Sequence, residues 1–153
     1  MTIEILLRYV HFISIFTMVG ALVSEHLLLK KSLSRSEVGR LAKIDGVYGL
    51  AVLVLLAVGL TLWLGAYGKP TEFYSSNPLF HTKLTLFIVI GILSIYPTVF
   101  FIKNKNGDQE ENIKVPNIIF WMVRLELLLL FVIPILAGLM AKGIGISFRL
   151  TIA

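Results

Sequence analysis

Four long apolar blocks, at about 5–29, 44–66, 79–102 and 118–141, leave this chain few ways to fold. Each meets the ~20 residues that a helix needs to cross the hydrocarbon of a bilayer. The segments between them are short and hold most of the charge. Charged residues are 15% of the chain, against roughly 25% in an ordinary soluble domain, and mean hydropathy is +0.88. The expected fold is all-α: one integral membrane four-helix bundle over residues 1–153, antiparallel and up-down-up-down, with the lipid bilayer as its first partner.

The first block reads as a retained span. Glu4 and a single early basic residue, Arg8, do not make a signal-peptide start, and the apolar stretch exceeds the roughly 7–15 residues of a signal core. The chain has no cysteine, so disulfides, iron–sulfur ligation and thiol nucleophiles are excluded. Any chemistry falls to His, carboxylates, Tyr or a cofactor. The net charge of +5 does not point to nucleic acid, because the basic residues are scattered over membrane-edge loops rather than gathered in a stripe with aromatics. They report topology instead. Lys30, Lys31, Arg35, Arg40 and Lys43 follow the first block and Lys103, Lys105 and Lys114 follow the third, whereas Arg8, Lys69, Lys142 and Arg149 lie on the other side. Eight against four places the first and third connections in the cytoplasm and both termini outside.

The connections carry helix punctuation and no room for a soluble catalytic domain. Ser34 and Glu37 have the spacing of a capping box, which predicts a helical turn leading into the second span. Gly68 and Pro70 end the second helix, and Asn77 as cap with Pro78 at the first helical position opens the third. The segment KNKNGDQEENIKVPN reads as a polar turn without a motif.

Ionisable residues inside a spanning helix are costly and usually face the bundle interior or a wet cavity. On the first helix Arg8, His11, Glu25 and His26 share one arc of roughly 100°. The second carries a weaker stripe of Asp45, Tyr48, Gly49, Leu56, Gly59 and Trp63, for which close helix packing is a sufficient explanation. On the third, His81, Thr85, Ile88, Ile92 and Tyr96 share a face, while Lys83 sits about 200° from His81 and has a stem long enough to snorkel. The fourth holds Arg124 and Glu126; Arg124 could pair with Glu25, and Glu126 is placed where a carboxylate needs a partner.

The first and third helices run in the same direction, so His11 and His81 lie at depths matched within about a turn. Two imidazoles so placed could flank one iron, and a four-helix core could supply an apolar slot for haem. A pair of buried histidines with ordinary hydrogen bonds would look the same. Neither HExxH nor paired Glu-x-x-His is present to suggest a metal cluster.

The stretches LRYVHFISIF, SEHLLLK, FHTKLTLF and VRLELLLLFVIPILAGLMAKGIG resemble, over nearly the whole chain, a family of small bacterial predicted membrane proteins without an assigned function. That likeness implies a bacterial inner-membrane location. More distantly, the first-helix His, the His-x-Lys-Leu opening the third helix and the Arg followed by Glu in the fourth resemble HemJ-type protoporphyrinogen oxidases. Those are four-helix membrane proteins associated with haem b. The resemblance falls on His11, His81, Lys83, Arg124 and Glu126, and implies haem-binding or activity roles for His11 and Lys83. Two departures stand out: Tyr96-Pro97 replaces the Tyr-His expected late in the third helix, and leucines replace a polar run beside Glu126. They point to haem binding without the oxidase activity.

The residues and the resemblance together lead to a haem b protein with a redox or electron-transfer role. His11 and His81 would be axial ligands, Lys83 and Arg8 would meet carboxylates of the cofactor or a porphyrin substrate, and Glu126 would handle a proton or pair. The alternative is a binding or transport module, favoured as a homo-oligomer, with Glu25, His26, Asp45, Tyr96, Arg124 and Glu126 around a polar cavity. A third reading is a structural partner subunit whose polar groups only hold its helices together.

Overall fold

A computed structural model of the chain describes residues 2–65, 72 and 75–142. Four helices long and apolar enough to cross a membrane follow one another: α1 (Ile3–Leu28), α2 (Arg35–Leu64), α3 (Pro78–Asn104) and α4 (Asn117–Ala141). They pack as the expected antiparallel bundle. α1 lies against α2 and α4, and α3 against the same two, so α1 and α3 face each other across the diagonal.

The caps follow the local sequence. Ser34 and Glu37 form the complete capping box, and the turn it starts is continuous with the span, making α2 one 30-residue helix. The Asn77 side chain accepts from Leu79 N–H, with Pro78 inside the first turn of α3. α2 is described to Leu64, with Gly65 as its C-cap; Gly68, Pro70, Lys69 and Arg149 lie outside the described residues.

One element was not expected. Ser32–Ser34 (β1) and Asn112–Lys114 (β2) pair antiparallel, with Leu33 opposite Ile113, and Val115 N–H extends the ribbon by donating to Lys31 O at 2.9 Å. Leu33 and Val115 are buried beneath it, so the ribbon plugs this end of the bundle. Arg35 clips the polar turn onto it: Nε meets Glu111 at 3.0 Å, and Nη1 donates to the carbonyls of Asn104 and Asn106 at 3.0 and 2.8 Å. The turn needs Gly107, whose φ is +128° and where a Cβ would stand 2.8 Å from Arg35 Nε. Gly107→Ala therefore combines backbone strain with a collision against the clip. It is expected to cost about 1–3 kcal/mol, read as a lower midpoint in reversible detergent unfolding; an unchanged midpoint would contradict the clip.

Candidate functional site: a buried carboxyl cluster

The bundle interior toward the ribbon end is not purely apolar. Glu25 from α1, Asp45 and Tyr48 from α2 and Glu126 from α4 are all buried there, and Thr98 of α3 meets Asp45 through its side chain. Every helix thus contributes one wall. Glu25 and Glu126 are 2% and 1% exposed. The Tyr48 hydroxyl donates to Glu126 Oε2 at 3.1 Å across the bundle diagonal. Glu25 is near enough to Asp45 and Glu126 for the three carboxyl groups to act on one another electrostatically. Glu25 Oε1 is buried without a hydrogen-bond partner.

Helical spacing assembles this group. Asp45 and Tyr48 are three residues apart, one turn up the same face of α2, and Glu25 falls on the stripe with Met18 and Leu22, both buried. On α4 the buried positions Ile119, Val123, Glu126 and Leu130 recur at three- and four-residue steps, so Glu126 faces inward as part of a continuous stripe. Among the described residues, the ion pairs join Arg8 to Glu4, Lys30 to Glu37 and Arg35 to Glu111, and none reaches the cluster. The described residues also form no group of three His, Asp or Glu side chains arranged to hold a metal ion.

Several expected members stand elsewhere. Tyr96 is 45% exposed, because the whole His81, Thr85, Ile88, Ile92 and Tyr96 face of α3 turns outward. Arg124 is exposed too and does not pair with Glu25; its guanidinium carbon lies 5.6 Å from the centre of the Trp121 ring. Both therefore leave the polar cluster. His26 is half-buried with an unpartnered Nδ1. Tyr48, assigned to packing by its glycine-rich stripe, is the member that sequence reasoning missed. Its spacing from Asp45 was the available signal.

The opposite end of the bundle gathers different residues. His11 is half-buried against α2 beside Gly59, and its Nδ1 is buried without a partner. Lys83 is half-buried with Nζ 5.4 Å from the Phe80 ring centre, and it acts electrostatically on His11. His81 is exposed, and its Nε2 lies 2.7 Å from Ser75 O. The structure thus places Lys83 on the half-buried side of α3 and His81 on its exposed side. Arg8 stays on the surface, 2.9 Å from Glu4.

Residues 3–145 match the family described as predicted membrane protein (DUF2214). No curated protein and no solved structure matches the chain. A match over nearly the full length, on a chain of four membrane-length helices, settles the assignment: the protein belongs to the DUF2214 family of predicted membrane proteins.

Proposed function

We propose that this bundle is a proton-linked membrane binding or transport module, loaded at Glu25, Asp45, Tyr48 and Glu126. The observation that carries the reading is the burial of Glu25, Asp45 and Glu126 in one cluster that no Lys or Arg ion pair among the described residues reaches. Burying several carboxylates together without counter-charge in a low-dielectric interior is prohibitively costly, so protons are the natural cargo of this site. Tyr48 and Glu126 form a hydrogen-bonded pair within the cluster, and the unpartnered Glu25 Oε1 leaves an acceptor position open.

The test is an external acid pulse on proteoliposomes carrying a pH-sensitive dye. The lumen is expected to acidify faster with the native chain than with the Glu25→Gln, Glu126→Gln double variant. Equal rates would remove the transport reading.

Haem b between His11 and His81 fits this arrangement poorly, since the two imidazoles do not face one slot and His81 is engaged by Ser75 O. What favours a haem reading is the unpartnered, buried Nδ1 of His11 beside Gly59, which would leave His11 as the protein ligand and Lys83 as a neighbour for a propionate. An optical spectrum of oxidised and dithionite-reduced protein decides it. A Soret band that His11→Ala removes and His81→Ala retains would support the one-ligand form, and a colourless protein after expression with added haem would exclude both.

A further inference from the structure

At the ribbon end, Lys31, Asn117, Phe120, Trp121 and Arg124 line a groove of about 180 Å³ between the end of α1 and the first turns of α4. Two of its five residues are cations and none is acidic. Lys31 is fixed in place by its backbone, because Lys31 O accepts from Val115 N–H at the approach to α4. Arg124 lies seven residues into α4, roughly 10 Å along the helix, on a surface it shares with Trp121, Leu125 and Leu128. This surface is on the outside of the bundle, within a helix long and apolar enough to cross a membrane. Among the described residues no carboxylate pairs with Arg124, and its guanidinium is turned back over Trp121, toward the end of the helix.

An arginine on a lipid-facing surface at this depth needs a counter-charge, and its side chain is already bent toward the plane of the headgroups. We infer that the Lys31–Arg124 groove binds the phosphate of an anionic membrane phospholipid, with Trp121 packed along its glycerol and upper acyl region. Basic pockets of this kind beside spanning helices recognise anionic headgroups by charge, and a planar guanidinium suits bidentate phosphate contact. Indole rings favour the interfacial depth that this arrangement requires. The proposal is independent of the carboxyl cluster.

The chain contains two tryptophans, so Trp63→Phe leaves Trp121 as the only indole reporter. The experiment reconstitutes that full-length chain in bilayers and measures quenching of Trp121 by brominated phosphatidylglycerol and by brominated phosphatidylcholine. A preference of roughly tenfold for the anionic lipid is expected from two cations near the headgroups. Arg124→Gln should reduce it to about twofold or less, Lys31→Gln should reduce it partly, and Lys105→Gln, in the exposed polar turn, should leave it unchanged. Equal quenching by both lipids, or a preference that survives both groove substitutions, would overturn the assignment. Loss of the lipid preference on adding inorganic phosphate to the buffer would also overturn it, by giving the groove to a free anion.

Discussion

Glu25→Leu is expected to make the bundle more stable, by about 1–4 kcal/mol, while disabling its proton site. Glu25 is a buried carboxyl group that no Lys or Arg ion pair among the described residues reaches, and its replacement by an apolar side chain removes its desolvation cost. Asp45 keeps its contact with Thr98. Tyr48→Phe should go the other way. It removes the 3.1 Å hydrogen bond to Glu126 and leaves that oxygen buried and unpaired, which costs about 1–3 kcal/mol. Midpoints of reversible unfolding in mixed micelles give both signs. A destabilising Glu25→Leu would mean that the carboxyl group serves the fold, contrary to the proposal.

Phe101→Ala should lower stability by about 2–3 kcal/mol, whereas Ile92→Ala on the same helix should change it by only a few tenths. Phe101 is 0% exposed and Ile92 is 62% exposed. In lipid the cost of truncation is mainly lost packing rather than lost transfer free energy, since acyl chains are as apolar as the core. A void of ~100 Å³ at ~24 cal/mol per Å³ accounts for the figure. The pair of measurements also fixes the rotation of α3. If Ile92→Ala were the damaging change, the His81 face would look inward and the bis-His slot would return.

That rotation marks the limit of what the sequence could reveal. The four spans, the Ser34 capping box and the Asn77–Pro78 start of α3 follow from hydropathy and from short-range hydrogen bonding, both local properties. Glu25, Asp45 and Glu126 were identifiable because a carboxyl group in a span has few places to go other than the interior. The side of α3 that faces inward had no such signal. Ile90 is buried and Ile92 is exposed on the outside of the bundle, yet the two are chemically identical, because the medium outside a membrane bundle resembles its interior. The polar residues of α3 misled for a related reason: Thr82 and Thr85 satisfy their hydroxyls on the carbonyls four residues back, so facing lipid costs them little.

The ribbon was invisible for a different reason. Its strands are three residues each and lie about 80 positions apart, too short for an alternating pattern and joined only by the return of the bundle. Arg35 likewise looked like one more basic loop residue, although its guanidinium organises the turn at Asn104–Glu111. Arg8 and Arg124 show the converse. Each lies inside an apolar block, and each reaches the surface on a long side chain, so position along the helix did not determine burial.

The most direct test of the central claim is infrared difference spectroscopy of the bilayer-reconstituted protein as the medium is stepped between acid and alkaline pH. The carbonyl band of protonated carboxylic acids reports a proton held by the cluster and shifts in deuterated buffer. The account predicts a buried carboxylic acid band that Glu25→Gln and Glu126→Gln each diminish and that Tyr48→Phe moves in frequency, by removing its hydrogen bond. A difference spectrum that these three substitutions leave unchanged would contradict it and reduce the cluster to a structural feature of the bundle.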